Sequence, residues 1–433
     1  GTSSGERHSD VVLPIERFSN RPSPIERLAD GMAGRLRRIK RIGGLIEREF
    51  RTGRTVDLPA SERLWFWRNG FLSEAGAIFD LSPATVDRYL SNYARDVETI
   101  EINGPSGRVL DDKLLFHELL TPEFDRYLPD LYYYLPPEGW YPVDAAGEPR
   151  AFLRTLADDG RSVVVKPRTG GGGDGVRVLP AIDVLSNGSA AGNGVPDGRT
   201  AGDGVPDGST AIDNPADASP VGDGVPDGDL AVDDERTSSE NGRIRAEDGG
   251  GDGSGDAEYL LCEYVEQAAY AEAIFPDSTN TIRMLTMFDP RTGEPFLARA
   301  VHRFGSSESA PLDNWTEGGC VGKIDEAEGR LVEGGCRTEG GGLRRVDRHP
   351  ETGEPIAGRA IPRWDAIVEA VLDVAGAYPG LPYVGWDVVA TDDEPYVAIV
   401  EGNRYSDVNM LQAFDPLLDD PQVRRFYEYH GVI

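Results

Sequence analysis

Short apolar, β-branched segments separated by polar turns are the clearest pattern along the chain. Residues 383–390 and 396–400 form two such segments around a Pro-containing turn, and this arrangement predicts a β-hairpin. Residues 162–167 and 259–265 have the composition of two further buried strands. Strand and helix patterns alternate from Lys113 onward, which predicts an α+β body long enough to bury a core.

Helical patterns dominate the chain before this body. Residues 61–65 read as one helix, and residues 82–86 carry a helix start signal, with serine at the cap position and proline in the first turn. We therefore expect a mainly helical N-terminal region over residues 1–108 and a second domain over residues 109–433.

Basic and apolar residues are interleaved at near-helical spacing between residues 33 and 54. This pattern indicates a basic amphipathic helix, although Gly43 and Gly44 weaken the prediction. A solvated or acid-paired face that packs on the main domain is the favoured interpretation, and docking on a membrane surface or a protein partner is the alternative.

Residues 181–257 interrupt the second domain with a low-complexity stretch rich in Asp and Gly. A seven-residue unit that begins at Gly192 is repeated almost unchanged from Gly202 and from Gly222. The stretch has almost no aromatic residues, so it cannot bury enough apolar surface to offset the entropy of ordering. We expect a disordered acidic insertion.

The chain is strongly acidic, with 75 acidic and 44 basic residues and a net charge of −31. Lysine occurs at only four positions, Lys40, Lys113, Lys166 and Lys323. An acidic, lysine-poor composition is typical of proteins from a salt-saturated cytoplasm, so we expect a halophilic, haloarchaeal-like source, with GC-rich codon bias as the alternative cause. The charge also argues against a nucleic-acid partner, because phosphate neutralisation needs a basic surface.

Apolar runs, cysteines and histidines indicate the cellular location and the roles of these residues. The sequence has no run of eighteen apolar residues and no signal-peptide pattern, so we expect a soluble, cytoplasmic protein. Cys262, Cys320 and Cys336 are odd in number and lack metal-site spacing, and we expect all three to be reduced. The five histidines are scattered singly and are expected to be surface or packing residues.

The hairpin carries the first candidate chemistry. If Asp387 pairs near Ile399 or Glu401, the period-two alternation of strands places Asp387, Glu401 and Asn403 on one face. Two carboxylates and an amide oxygen are ligands that suit Mg²⁺, which usually completes its shell with water and nucleotide phosphates. A register slip of one residue would separate them, and an ordinary acidic hairpin is the alternative.

A run of glycines after a lysine is the second candidate for a functional site. Lys166 ends a buried strand and is followed by residues 170–175, five glycines and one aspartate. Glycines let backbone N–H groups approach phosphate oxygens, and an ammonium adds a point charge. The lysine precedes the glycines, whereas it follows them in a P-loop, and no protein-kinase signature is present.

Together these motifs resemble the ATP-grasp superfamily, and most closely its sugar-transfer-associated branch, which is related to α-L-glutamate ligases. The resemblance covers roughly residues 111–421 without the insertion. It rests on the following motifs in order: Asp112-Lys113-Leu114-Leu115-Phe116, the strand lysine with its glycine run, Glu263-Tyr264-Val265-Glu266-Gln267, Asn280-Thr281-Ile282-Arg283, Asp313-Asn314 with Gly318-Gly319, and the metal hairpin.

The resemblance implies an ATP-grasp fold, in which two α/β subdomains grip ATP, behind the helical N-terminal region. It implies nucleotide contacts from two phosphate-binding lysines, a glycine flap, an adenine-reading hinge and a ribose-side residue: Lys113, Lys166, Gly170, Gly171, Gly172, Gly173, Gly175, Glu263, Tyr264, Val265, and Glu266 or Gln267. It also implies Mg²⁺ ligands at Asp387, Glu401 and Asn403, with Glu401 bridging two ions and Mn²⁺ as the alternative metal.

The remaining residues lie on the substrate side of the resemblance. Arg283 resembles the arginine that steadies the transferred phosphoryl group, and Lys166 shares that catalytic role. Asp313 and Asn314, with Gly318 and Gly319, resemble the substrate loop, for which an ordinary turn is the alternative; Arg303 and Arg404 are weaker candidates for binding a substrate anion. The branch commonly has histidine where this chain has Ala268, which puts contacts at that position in doubt.

The activity that the resemblance implies is an ATP- and Mg²⁺-dependent carboxylate–amine ligase. Its partners would be small carboxylate and amine substrates, including sugar-linked ones of surface polysaccharide or glycan biosynthesis. Two alternatives remain open at this point: a phosphotransferase on the same fold, and a non-catalytic nucleotide-binding subunit of a glycan assembly complex.

Overall fold

The computed structural model describes residues 24–52, 56, 58–187, 257–338 and 340–433. The chain divides into two compact units. The first comprises Gly1–Ile102, Glu339–Gly342 and Asp415–Ile433, and the second comprises Asn103–Thr338 and Leu343–Phe414. The C-terminal residues 415–433 thus group with the N-terminal unit, whereas the sequence placed them in the second domain.

The described residues form ten α-helices and twelve β-strands. The helices are α1 (Pro24–Thr52), α2 (Ala60–Arg68), α3 (Ser73–Ile78), α4 (Lys113–Phe124), α5 (Pro149–Asp158), α6 (Ala181–Asn187), α7 (Ala269–Ile274), α8 (Trp364–Ala377), α9 (Val408–Leu411) and α10 (Pro421–Tyr429). The strands are β1 (Leu131–Leu135), β2 (Tyr141–Pro142), β3 (Ser162–Pro167), β4 (Arg177–Pro180), β5 (Tyr259–Glu263), β6 (Ile282–Phe288), β7 (Pro295–Phe304), β8 (Cys320–Asp325), β9 (Arg330–Arg337), β10 (Leu343–Val346), β11 (Tyr383–Ala390) and β12 (Val397–Asn403). None of these helices is long and apolar enough to cross a membrane.

The first unit is helical, as the sequence predicted. Helix α1 runs through Gly43 and Gly44 without a break and packs Leu45 against Leu72 and Val97. Glu49 is buried on the same face, where its carboxylate accepts hydrogen bonds from the backbone N–H and the hydroxyl of Ser73.

Arg38 and Arg48 of α1 are paired with acids of their own unit. Arg38 lies 2.5 Å from Glu98, and Arg48 lies 3.0 Å from Asp96. Burial opposes ionisation of Asp96, but the arginines Arg95 and Arg48 outweigh it and lower the pKa of that carboxyl. The acid-paired interpretation of this helix is therefore the one that the structure supports, although the acids belong to the N-terminal unit rather than to the main domain.

The helix expected from Ser82 is not formed. Residues 82–88 make turns, with a single helical turn at Val86–Arg88. The backbone carbonyl of Asp87 accepts a hydrogen bond from Arg424 at 3.0 Å, and Arg88 pairs with Asp419. Contacts with the C-terminal segment of the same unit thus override the local start signal.

The second unit contains two antiparallel sheets. The smaller has the strand order β2-β1-β5-β3-β4. Helices α5 and α6 supply Leu153, Leu156 and Val184 to one core with Val163 and Val165 of this sheet. Residues 181–187, the start of the predicted insertion, are therefore helical and packed, and the rest of that insertion up to residue 256 lies outside the described residues.

The larger sheet has the order β10-β9-β8-β7-β6-β11-β12. Helix α8 repeats apolar residues every three to four positions, and its buried face meets β11 and β12 in an extensive core of the second unit. The mixed α+β architecture predicted from the sequence is confirmed, and the predicted hairpin is formed by β11 and β12.

Two cysteines correct a prediction. Cys320 of β8 and Cys336 of β9 are opposite each other in the strand register and form a disulfide, whereas Cys262 is free and buried. The expectation of three reduced thiols was wrong because the pairing of β8 with β9, which brings these residues together, is not visible in cysteine spacing.

Candidate active site

A cleft of about 240 Å³ lies between the two sheets of the second unit. Its walls come from the start of α4, from β3 and the loop after it, from β5, and from β6, β7, β11 and β12. The predicted site residues that line it are Lys113, Lys166, Gly170, Gly171, Gly172, Gly173, Glu263, Tyr264, Val265, Arg283, Arg303, Asp313, Asn314, Asp387, Glu401 and Asn403.

Lys113 enters the cleft from the first residue of α4. The Asp112 carboxylate caps this helix by accepting hydrogen bonds from the backbone N–H groups of Leu114 and Leu115. The Lys113 ammonium donates to the carbonyl of Gly170 at 2.6 Å and lies 3.3 Å from the Glu401 carboxylate. One lysine thus connects the glycine loop of the small sheet to the hairpin of the large sheet.

Lys166 reaches the cleft by strand alternation. Val163 and Val165 of β3 point into the core of the small sheet, so Lys166 points to the opposite face. Its ammonium lies 3.5 Å from the backbone carbonyl of Val400 on β12. Both lysines expected to contact phosphates therefore lie beside the same hairpin.

Arg168 is a residue of this region that the sequence did not single out. Its guanidinium donates to both oxygens of Asp112, at 2.7 to 3.0 Å, and to Glu258 at 2.9 Å. Burial opposes ionisation of Asp112, and the hydrogen bonds from Arg168 overcome it and lower the pKa of the carboxyl. The Arg168–Asp112 pair fixes the helix cap and so the position of Lys113. The sequence could have pointed to Arg168, because it is a second basic residue only two positions after Lys166.

The glycine loop adopts backbone angles that favour glycine. Gly170, Gly172, Gly173 and Gly175 have positive φ angles between 74° and 110°. The Asn314 side-chain amide donates to the carbonyl of Gly172 at 3.2 Å. The loop therefore lies against the segment expected to bind substrate, and Gly175 turns the chain back without lining the cleft.

The hinge segment begins at Glu263, the last residue of β5. Tyr264 and Val265 line the cleft, and the Glu263 carboxylate accepts from Arg161 at 2.8 Å and from the backbone N–H of Asp130 at 3.3 Å. Gln267 does not line the cleft. Its amide instead joins Ser278 and Asn280 through bonds of 2.8 and 2.9 Å, so the structure places it as a support of the loop before β6.

Asp387 is the most enclosed group of the predicted metal set. It is 5 % exposed, and Arg283 of the neighbouring strand β6 donates to its two oxygens at 2.5 and 3.0 Å. Burial disfavours its charged form, but Arg283 and then Arg303 compensate and keep the pKa of Asp387 below its ordinary value. Burial also acts against the charge of Arg283, and Asp387 reverses the effect and raises the pKa of that guanidinium.

Arg303 of β7 extends this network toward the substrate loop. Its guanidinium lies 3.2 Å from Asp313 and 3.5 Å from Asp387, and it donates to the Thr281 hydroxyl at 2.9 Å. Asp313 in turn accepts from the backbone N–H and the hydroxyl of Thr281, both at 2.7 Å. Asp313 therefore organises the network beside the cleft.

His302, the residue before Arg303, was expected to be a packing residue and is fully buried. Its Nδ1 lies 3.1 Å from the backbone carbonyl of Arg303 and its Nε2 lies 2.8 Å from the Tyr270 hydroxyl. A carbonyl can only accept, so Nδ1 carries the hydrogen and Nε2 accepts from Tyr270. Burial lowers the pKa of His302 to about 3, which fixes this neutral form under the backbone of Arg303.

The predicted metal ligands meet on one face of the hairpin. Asp387 pairs with Glu401, and Gly385 pairs with Asn403, so Asp387, Glu401 and Asn403 share that face. The Asn403 amide donates to Asp387 at 3.3 Å. Each carboxylate oxygen has more than one acceptor site, so the bonds from Arg283 leave capacity for a cation, and this hard-oxygen set fits Mg²⁺.

Other candidates lie outside the cleft lining. Arg404 has its Nε 3.2 Å from Asp111 and stacks on Tyr405 with 4.6 Å between its guanidinium carbon and the ring centroid. Gly318 has a φ of 100° and follows the turn Trp315–Glu317, and Gly319 precedes β8. Glu266 is exposed.

A comparison with protein families finds a match over part of the second unit. Residues 250–416 match the family described as sugar-transfer associated ATP-grasp. These residues are therefore similar to the ATP-grasp superfamily, and the match agrees with the fold that the motifs implied. The matched branch is the one that the sequence motifs resemble most closely.

Solved structures with similarity to the chain include a synthetase and a ligase. D-cycloserine synthetase DcsG is 13 % identical, with 74 % of this chain and 71 % of that chain covered and a TM-score of 0.30. D-alanine–D-alanine ligase from Bacillus anthracis is 11 % identical, with 75 % and 69 % covered and a TM-score of 0.31. No curated protein matches the chain. The superfamily assignment rests on the family match.

Proposed function

We propose that the protein is an ATP- and Mg²⁺-dependent ligase that activates a carboxylate as an acyl-phosphate for attack by an amine or a similar nucleophile. One observation carries the proposal: Lys113 and Lys166 meet the Asp387–Glu401–Asn403 face in a single cleft under a glycine loop. The chain has only four lysines, so two of them at one hairpin is a strong concentration of ammonium charge.

The residues of the cleft divide the work of such a reaction. Asp387, Glu401 and Asn403 would hold Mg²⁺, which when bound neutralises phosphate charge. Lys113 and Lys166 bring ammonium groups to the transferred phosphoryl group, and preorganised charges of this kind stabilise a transition state without reorganisation. The glycine loop covers the phosphates and excludes water from a hydrolysable intermediate.

The carboxylate substrate would bind beside Arg303. This arginine lines the cleft between the metal face and Asp313, and Asn314 connects the same segment to the glycine loop. Closure of the loop over ATP would therefore order the substrate side as well. The description of the matched family supports small sugar-linked substrates of glycan biosynthesis as the class to test first.

Calorimetry of Mg-ATP binding in high salt tests the cleft. Lys166→Ala is expected to weaken binding by about tenfold or more, which corresponds to about 1.4 kcal/mol. Glu401→Ala is expected to reduce the Mg²⁺ dependence of binding. Lys323→Ala is the matched control, because Lys323 lies on β8 outside the cleft lining and its replacement should leave the affinity unchanged. Equal affinities for all four proteins would contradict the proposal.

Product analysis then tests the reaction. A ligase releases ADP and free phosphate when both a carboxylate and an amine are present, whereas a phosphotransferase passes the γ-phosphate to its acceptor without release. Transfer of labelled phosphate to a hydroxyl substrate, with no free phosphate, would replace the ligase assignment by the phosphotransferase. Binding of Mg-ATP with no turnover in a broad screen would favour a nucleotide-binding subunit.

A further inference from the structure

Helix α1 has a second apolar face that is exposed. Leu36, Ile39, Ile46 and Phe50 are 62 %, 65 %, 53 % and 60 % exposed, although Leu45 of the same helix is buried in the core of the first unit. Four large, exposed apolar side chains along one face of a helix are unusual on the surface of a soluble protein and typically mark an interaction site. We call Leu36, Ile39, Gly43, Ile46 and Phe50 the outer stripe.

The outer stripe has the spacing of a coiled-coil seam. Its members alternate at steps of three and four residues, which is the a and d pattern of a heptad. Gly43 occupies the central a position, and a Cβ built there would meet no heavy atom within 4 Å. This gap in the seam lets a second helix approach closely at its centre.

The charges of the molecule favour a second helix over an anionic membrane. Glu47 lies beside the outer stripe, where a negatively charged lipid surface would repel its carboxylate, whereas a second helix can present a cation to it. The arginines Arg38 and Arg48 of α1 are already engaged by Glu98 and Asp96 of the same unit.

We propose that the outer stripe pairs antiparallel with the outer stripe of a second copy of this chain. Lys40 and Glu47 are in the e positions beside the seam, one heptad apart. An antiparallel pair places Lys40 of each copy against Glu47 of the other, whereas a parallel pair would place Arg35 against Lys40. Glu47 pairs with Arg51 within its own helix at 2.6 Å. This contact is exposed, so replacing it by a contact with a second copy costs little free energy. The interface is self-complementary, as a twofold dimer requires.

Sedimentation equilibrium of the full chain in molar KCl measures this association, because apolar contacts persist in salt that screens charges. The wild type is expected to dimerise, and Ile39→Glu and Ile46→Glu are each expected to raise the dimer dissociation constant by about tenfold or more. Leu64→Glu is the control, because Leu64 of α2 is 45 % exposed in the same unit and lies outside the outer stripe. A wild type that stays monomeric, or a dimer that Ile39→Glu does not weaken, overturns the proposal.

Charge exchange tests the orientation at the lowest salt in which the chain is folded. Lys40→Glu should weaken the dimer, and the double variant Lys40→Glu/Glu47→Lys should restore it. A double variant that is weaker than Lys40→Glu overturns the antiparallel arrangement. Monomers that cosediment with phosphatidylglycerol vesicles, and lose that binding in Ile39→Glu, would show a membrane surface as the occupant and overturn pairing with a second copy.

Discussion

The two walls of the cleft are built differently. On the side of the large sheet, Asp387 is buried and held by Arg283, Arg303 and Asn403. On the side of the small sheet, a Cβ built at Gly170, Gly171 or Gly172 would meet no heavy atom within 4 Å. One wall is thus a fixed network of charges, and the other is backbone with room around it.

This difference follows from what each wall would have to do in the proposed reaction. Metal ligands and groups that face developing charge act best when their positions are fixed before the substrate arrives. A loop that covers phosphates must admit ATP first and close afterwards, which needs a backbone with few fixed contacts. The predictions below test whether the two walls differ in this way.

The largest expected effect is on stability, at the rigid wall. Asp387→Ala leaves the buried guanidinium of Arg283 without its partner, and we expect a loss of about 3–5 kcal/mol in the free energy of unfolding. Chemical denaturation in constant salt measures this loss. The double variant Arg283→Met/Asp387→Leu should recover much of it, since it removes both charges.

Glu401→Ala is the matched comparison on the same hairpin. Its partner Lys113 also bonds to the carbonyl of Gly170, so we expect a cost of about 1 kcal/mol or less. Equal destabilisation by Asp387→Ala and Glu401→Ala would contradict this difference. It would show that both carboxylates of the hairpin contribute equally to the stability of the fold.

The second effect is a pH dependence from His302 beneath Arg303. Burial lowers the pKa of His302 to about 3, below the ordinary value of about 6.5. Between these values the unfolded chain binds a proton that the folded chain does not, so the free energy of unfolding falls as the pH falls from about 6.5 to about 3. The slope from this group is at most about 1.4 kcal/mol per pH unit. His302→Gln should remove that component from the stability curve, and parallel curves for wild type and variant would contradict the prediction.

A further effect is expected at the glycine loop on the side of the small sheet. Gly173 has a φ of 81°, and an added Cβ would lie 2.4 Å from Leu312. Gly173→Ala should therefore cost about 1–2 kcal/mol in the closed loop and lower Mg-ATP affinity several-fold. Gly171→Ala meets open space without a positive φ and should have little effect. Equal affinities of the two variants, measured by calorimetry, would show that the loop does not adopt this conformation over the nucleotide.

The sequence predicted those parts of the fold and site that depend on local pattern. Alternation along β11 and β12 placed Asp387, Glu401 and Asn403 on one face, and the pairing of Asp387 with Glu401 agrees with it. The glycines after Lys166 predicted a loop whose backbone phosphate oxygens can approach, and a Cβ built at Gly171 or Gly172 would meet no heavy atom within 4 Å. These features follow from side-chain periodicity and from the freedom of glycine, which neighbours along the chain suffice to set.

Local pattern failed where a partner came from far along the chain. The helix predicted from Ser82 is not formed, and Arg424 instead donates a hydrogen bond to the backbone carbonyl of Asp87. The pairing of β8 with β9 brings Cys320 and Cys336 together in a disulfide. Gln267 was placed in the nucleotide site by its motif, but Ser278 and Asn280 engage its amide.

The sequence by itself determined four of the described strands and the hairpin face that Asp387, Glu401 and Asn403 share, and its motifs showed the resemblance to the ATP-grasp superfamily. Only the tertiary structure decided that Arg283 neutralises Asp387, that Arg168 fixes the cap before Lys113, and that α1 presents an exposed apolar seam. Periodicity determines which face of an element a residue occupies. The charge or surface opposite that face is set by how distant elements pack, and a buried carboxylate depends on that neighbour for its ionised state.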